Sequence, residues 1–447
     1  MKVAFLPLLL SINSNVMKKL VFLLFLLPVL GAAQIYFPPT TSNQWDTLGV
    51  DELGWCDNYV DSLYDYLDAN NTKAFILMKD GKIVLEQYFD GFQQDDFWYW
   101  ASAGKTLTAF SIGMAQQQGV LDINDTTSQF LGQGWTDCTP NQEEKITVKH
   151  QLSMTSGLDD FSEFECTADS CLTYLADAGT RWAYHNGPYT LLTDVLEEAS
   201  GQSANVFVTQ NIKNPTGMDG FYLNQGLFNK VFTSTPRSMA RFSLLMLNNG
   251  NWNGTQVMTD ANYFSEMVNS SQNLNEAYGY LWWLNGKNSF MLPGSQVVFP
   301  GKLIPNAPDD TYAALGKNGQ FINVTPSKGL TWIRMGDAPN NLPVPYLMND
   351  EIWALLNGLM CSNSSLNENT QLKVEVFPNP VADKLSVHTS SDDFSFELYD
   401  LSGVLLKQGE NYGTAEVKIN MSDLRAGCYI LKLEAHGAVA VRKVIKE

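Results

Sequence analysis

"WYWASAGKTLTAF", residues 98–110, sets a serine, Ser102, three positions ahead of a lysine, Lys105, at the head of an apolar, helix-forming run. Residues at i and i+3 share a helix face, so this spacing aims the Lys105 amine at the Ser102 oxygen. A serine hydroxyl is a poor nucleophile until a base within hydrogen-bond reach takes its proton. Lysine is such a base only when burial or a second cation lowers its pKa. Trp98, Trp100, Leu107 and Phe110 supply apolar surroundings of that kind. This is the only Ser-x-x-Lys in the chain, and a solvated pair on a helix surface is the plainer explanation unless further parts accompany it.

Other nucleophile arrangements have little support. The four histidines are His150, His185, His388 and His436, and the last two lie in the β-rich tail. There is no G-x-S-x-G elbow and no H-E-x-x-H, so neither an α/β-hydrolase triad nor a metal site is expected. Two further segments complement Ser102. In "RWAYHNGPYTLLTDVLEEASGQ", residues 181–202, Tyr184 and Asn186 come just before a helical run that starts near Pro188, so both can project from a loop. A tyrosinate near cations could relay the serine proton, and an asparagine can donate to a carbonyl while accepting from the lysine. Tyr-x-Asn recurs at Tyr222, and a partly buried aromatic would also explain Tyr184. His185, between them, reads as a packing residue. In "YAALGKNGQFINVTP", residues 312–326, Lys317, Asn318 and Gly319 lead into a strand, and the glycine lets a ligand approach the backbone closely. The N–H of Gln320 at that strand's edge can join the N–H of Ser102 in an oxyanion hole.

Strand patterns stand at both ends of the main body. "AFILMKDGKIVLEQYF", residues 74–89, and "QFINVTPSKGLTWIRM", residues 320–335, each read as a hairpin. "CDNYVDSLYDYLDANN", residues 56–71, and "NDEIWALLNGLMC", residues 349–361, read as amphipathic helices, and helical patterns dominate from residue 106 to about 206. The flanking strands must pair to bury their faces. The expected fold is therefore α/β: an antiparallel sheet flanked by helices, carrying an inserted helical region. "SNSSLNENTQ", residues 362–371, is polar and aperiodic and reads as a linker. Residues 372–447 are short alternating segments between turns, the pattern of a small all-β sandwich.

The 447 residues carry a net charge of −19, a balance that repels nucleic acid and anionic membrane surfaces. Met17-Lys18-Lys19, an apolar run over residues 20–30 and small residues at 31–33 form an export signal, so residues 1–33 are expected to be removed and translation to start at Met17. Export permits disulfides. Cys166 and Cys171 can close a small loop and Cys56 and Cys361 can join the terminal helices, although spacing does not fix connectivity. Tyr280, Trp282 and Trp283 in "AYGYLWWLNG" suit either a pocket wall or the core.

Ser102-x-x-Lys105, Tyr184-x-Asn186 and Lys317-x-Gly319, in that order, resemble the three signature elements of the class C beta-lactamase-like serine hydrolases. "ITVKHQLSMTSGLDD", "NIKNPTGM" and "RSMARFSLLMLNNGNWNG" are similar to supporting stretches of that family, and the resemblance covers roughly residues 50–360. The resemblance implies a catalytic domain over residues 34–361 with no cofactor or metal, acting on small-molecule or peptide esters or amides. It assigns Ser102 as acylated nucleophile, Lys105 and Tyr184 as acid and base, Asn186 as orienting residue, and Lys317 as a carboxylate ligand or as a partner of Tyr184. The amides of Ser102 and Gln320 would hold the oxyanion. Asn318 departs from the Lys-Thr-Gly of many beta-lactam-recognising members, which puts beta-lactam turnover in question. A receptor that is acylated and never turns over, or an inactive peptidoglycan-binding scaffold, is the rival reading.

"VEVFPNPVADKLSV", "FELYDLSGVLL", "INMSDLRAGCYILKLEA" and "VRKVIKE" resemble the C-terminal sorting domain of the type IX secretion system. That implies a bacterial protein recognised by secretion machinery and released or held at the outer-membrane surface. A carbohydrate-binding module is the rival for a terminal sandwich, but the tail has no evident aromatic platform.

Overall fold

The computed structural model describes residues 35–161, 165–226, 229–339, 344–361, 372–400, 404–435 and 438–447. The export signal expected over residues 1–33 and the linker expected over residues 362–371 lie outside them.

Chain order in the main body begins with helix α1 (Asn58–Ala69) and strands β1 (Thr72–Lys79) and β2 (Lys82–Tyr88). Helix α2 (Lys105–Gln117) and helix α3 (Pro236–Leu247) follow, then strands β3 (Trp283–Leu284), β4 (Tyr312–Leu315), β5 (Phe321–Thr325) and β6 (Leu330–Gly336), and helix α4 (Tyr346–Leu359). The sheet order is β2-β1-β6-β5-β4-β3 with every neighbour antiparallel. First and last strands therefore meet at its centre, with Ile76 opposite Ile333 and Leu77 opposite Trp332. This is the antiparallel, helix-flanked sheet that the two hairpin patterns imply.

Side-chain alternation assigns the faces. Asn323 and Trp332, a cross-strand pair, turn toward α4, where Trp353 Nε1 donates to Asn323 Oδ1 at 3.0 Å and stacks edgewise on Trp332. Tyr312 turns the other way and donates to the Met246 carbonyl of α3 at 2.9 Å. Both faces are covered, so β1, β5 and β6 are buried almost throughout rather than alternating. The Cys56–Cys361 disulfide and a 2.8 Å bond from Cys56 N to Leu359 O join the start of α1 to the end of α4. Among the described residues no helix is long and apolar enough to cross a membrane.

A second, three-stranded sheet pairs Trp98–Tyr99 with Asn229–Ser234, and the latter with Phe221–Gln225. Its strands lie outside the segments that the sequence pattern marks as strand. It buttresses the opening stretch: Trp100 N donates to Phe232 O, and Trp100 Nε1 to Ser234 Oγ, both at 2.8 Å.

The tail contains β7 (Val374–Phe377), β8 (Lys384–Thr389), β9 (Phe394–Asp400), β10 (Leu405–Asn411), β11 (Glu416–Asn420), β12 (Gly427–Ala435) and β13 (Ala438–Lys446). They form sheets of order β7-β8-β11 and β10-β9-β12-β13. Alternating residues Leu385, Val387, Leu398, Leu431 and Leu433 meet in a separate apolar core, as a sandwich requires.

Candidate active site

Ser102 lies on a tight 3-10 turn, Ala101–Gly104, that feeds directly into α2. Ala101 has φ of +48°, a left-handed conformation that costs a residue with a Cβ on the order of 1 kcal/mol or more and recurs where a side chain must be presented. Lys105, the first residue of α2, is 3% exposed, and its Nζ stands 2.9 Å from Ser102 Oγ. The rings of Tyr189 and Tyr184 flank the amine at 4.2 and 5.1 Å. Burial lowers the lysine pKa from 10.5 to about 7, while the Glu165 carboxylate acts in the opposite direction. A large fraction of Lys105 is thus a neutral amine near neutral pH, able to accept a proton from the hydroxyl it touches.

Tyr184 is 5% exposed, and its ring is stacked on Trp283 with centroids 5.9 Å apart. Burial drives its phenol well above the ordinary value, and a hydrogen bond with Ser102 only partly offsets this. The stable form is the protonated phenol, not the tyrosinate entertained from sequence. The supporting stretch at residues 146–160 holds this segment in place. Ala183 N donates to Met154 O at 2.9 Å, Gln151 Nε2 to Pro188 O at 2.7 Å, and Arg181 pairs with buried Asp160 at 2.7 Å.

Asn186 begins the short helix Asn186–Thr190 instead of projecting from a loop. Its Oδ1 is buried and, among the described residues, has no hydrogen-bond partner; the expected bond to Lys105 is not made. His185 is buried beside it. The Cys166–Cys171 disulfide forms, while Cys138 and Cys428 are free thiols.

Lys317–Gly319 is a turn between β4 and β5. Lys317 is exposed, and Asn318, at φ +62°, directs its Nδ2 to Tyr99 OH at 2.7 Å. Gly319 has φ of +78°, and a Cβ there would come within 2.4 Å of Arg334 Nη1. Gly316 brings this turn against the Ser102 turn, since a Cβ on it would stand 2.8 Å from Trp100 O and 3.0 Å from Ala103 N. Gln320 is fully buried, its side chain closed on Gly336 by bonds of 2.6 and 3.0 Å. Among the described residues no backbone carbonyl accepts from the amides of Ser102 or Gln320.

Four contributors escaped the sequence reading: Tyr99, Tyr189, Gly316 and Arg334. Arg334 is fully buried and, among the described residues, makes no ion pair. Its guanidinium donates to Asn318 O (3.0 Å), Gly319 O (2.7 Å) and Asn70 O (2.6 Å), and its Nε to Thr72 Oγ1 (2.9 Å). An arginine at an inward position of the apolar strand "LTWIRM" was the signal that could have found it. Of the aromatic trio, Trp283 joins Tyr184 in lining an apolar cavity of about 190 Å³. Trp282 packs between Phe242 and Tyr312, and Tyr280 donates to Glu266 at 2.6 Å, so these two belong to the core.

This geometry sits inside a recognisable family. The family model described as beta-lactamase matches residues 66–355. The chain belongs to the beta-lactamase family. Residues 375–447 match the secretion system C-terminal sorting domain, so this beta-lactamase-family chain ends in a type IX sorting domain that marks it for export. An uncharacterized protein of Alkalihalophilus pseudofirmus is 22% identical over 329 residues, spanning 66% of this chain and 89% of that one. Among solved structures, a Bacteroides dorei protein assigned as a beta-lactamase aligns with a TM-score of 0.55 and 16% identity, over 69% of this chain and all of that one. A penicillin-binding protein homologue of Caulobacter crescentus aligns at 0.52 and 12%, over 68% and 98%. At these identities the solved structures speak for the fold.

Proposed function

We propose that this protein is an exported serine hydrolase that cleaves ester or amide bonds through an acyl-enzyme on Ser102, working outside the cell or at the outer-membrane surface of a bacterium. The observation that carries the reading is a buried lysine amine 2.9 Å from a serine hydroxyl, its pKa lowered by burial to about 7.

Lys105 accepts the Ser102 proton as Oγ bonds to the substrate carbonyl carbon. The oxyanion that forms is held by the N–H groups of Ser102 and Gln320. The Tyr184 phenol, hydrogen-bonded to Ser102, passes a proton to the departing alkoxide or amine and is reprotonated from Lys105. The C–O or C–N bond breaks and the acyl group stays on Ser102. Water then attacks the ester carbonyl, giving its proton to Lys105, and Oγ leaves with a proton returned through the same groups. Asn186, its Oδ1 buried and open, orients the substrate. Lys317 attracts a polar substrate end from the rim.

Intact-mass measurement with a fluorophosphonate probe, alongside turnover of a chromogenic ester, tests this. Wild type is expected to gain one adduct on Ser102, and Ser102→Ala is expected to lose both adduct and turnover. Labelling or turnover retained in the variant would overturn the assignment.

A further inference from the structure

The cavity beside Tyr184 bears on which substrates this site takes. Its walls include Tyr184, Trp283, Leu292, Leu303, Leu315 and Tyr346, and no charged side chain lines it among the described residues. Leu303 and Leu315 are each 4% exposed and Trp283 is 5% exposed, so the floor is built into the core, while Leu292 belongs to the half-buried mouth. Leu315 directly precedes Gly316, the residue that packs on the Ser102 turn, and Tyr184 is hydrogen-bonded to Ser102. One wall of the cavity thus abuts the nucleophile.

The groups that would recognise an anionic substrate are otherwise engaged. Asn318 directs its amide to Tyr99, at 2.7 Å. Arg334, buried against the turn, has its guanidinium on four backbone carbonyls, those of Asn318, Gly319, Asn70 and Asp337. Lys317 is exposed, and an exposed cation attracts a carboxylate weakly once water and salt screen it. A carboxylate placed in the cavity itself would meet carbon on nearly every side, at a desolvation cost no partner offsets.

We infer that the preferred substrates are uncharged esters or amides that carry a compact apolar group next to the scissile bond, seated in this cavity between Trp283, Leu303 and Leu315. This rests on the Ser102 acyl-transfer reading. A volume of about 190 Å³ admits a short alkyl chain or one ring, on the order of six carbons if each methylene takes about the space of a water. Each methylene that leaves water for such walls improves kcat/KM by about fourfold until the cavity is full.

Two ester series test it on the full chain: methyl alkanoates from acetate to decanoate, and acetates of alcohols from methyl to decyl, both followed by acid release. One series is expected to rise about fourfold per carbon and to level off near six carbons, and its analogue ending in a carboxylate is expected to fall at least about tenfold below the uncharged ester of equal length. Leu292→Trp is expected to move the optimum to shorter chains and Leu303→Ala to longer ones. A flat profile in both series, or a carboxylate analogue as good as the uncharged ester, overturns the inference while fluorophosphonate labelling of Ser102 leaves the hydrolase reading standing. Loss of that labelling in wild type removes the hydrolase reading and this inference with it.

Discussion

In the body of the chain Lys105, Arg241 and Arg334 are all buried, whereas among the described residues of the tail no charged side chain is. Burying a cation carries a desolvation cost, so each buried one demands an account. Arg241 donates to the carbonyls of Pro39, Ser42 and Thr216, tying the segment before α1 onto α3. Arg334 fixes the Lys317–Gly319 turn from beneath, and Lys105 faces a hydroxyl. The tail keeps its charges on the surface, in pairs such as Lys407 with Asp423 and Lys432 with Glu397, around a core of leucine and valine. Stability alone therefore does not ask this chain to bury charge. Where it buries a cation, that cation holds backbone carbonyls or faces the Ser102 hydroxyl.

The sharpest way to break that contrast is to remove the buried lysine. Lys105→Met should lower kcat/KM by about a thousandfold, the range of a lost general base, as measured on a chromogenic ester. The same change should raise Tm. Because burial lowers the pKa from 10.5 to about 7, the unfolded chain binds the extra proton between those values. The lysine's contribution to stability is therefore least favourable below pH 7 and recovers as pH rises toward 10.5. The Tm advantage of the methionine variant should shrink across that window; an advantage independent of pH would mean that the lysine is not carrying a depressed pKa.

Arg334→Met should cost about tenfold to a hundredfold in kcat/KM, because Asn318, Gly319 and Asn70 lose the donor that orders the turn. Its Tm should fall as well, the opposite sign to Lys105→Met. Loss of Tm with full activity would make Arg334 a fold element only. In wild type, kcat/KM should drop about tenfold for each pH unit below 7 as Lys105 gains its proton. Glu165→Gln removes a carboxylate that favours the charged lysine, so the whole limb should move to lower pH. A limb that stays in place assigns the titration to another group.

The contrast also explains what the sequence disclosed. The pairing of Ser102 with Lys105 was legible because residues three apart share a helix face, and local spacing is visible in a string. The two main hairpins were visible as strand patterns separated by turn residues. Gly316 and Arg334 were not found, because their meaning lies in contacts that chain folding creates: Gly316 against Trp100 and Ala103, and Arg334 against a turn 15 and 16 residues before it. The pairing of Trp98–Tyr99 with the small sheet that buttresses Trp100 was missed for the same reason, since its partner strand lies more than 100 residues away. In "AYGYLWWLNG" adjacent indoles have opposite fates, Trp283 in the cavity wall and Trp282 in the core, a distinction that strand alternation permits but the one-dimensional pattern does not orient.

The tail supplies the smallest expected effects and the control for the rest. Leu431→Ala opens a hole in the sandwich core and should destabilise the tail by about 2–5 kcal/mol, with kcat/KM for a small ester unchanged. Lys407→Ala breaks an ion pair of 2.7 Å in which the Asp423 carboxylate is 60% exposed. Water solvates both partners when they separate, and a lysine tethered in one geometry has given up rotamer freedom that the substitution makes irrelevant. Neither Tm nor kcat/KM should move measurably, at low salt or high. A salt-dependent loss of Tm in Lys407→Ala would show that the tail too relies on placed charge, and the division between the two regions would have to be redrawn around networks rather than burial.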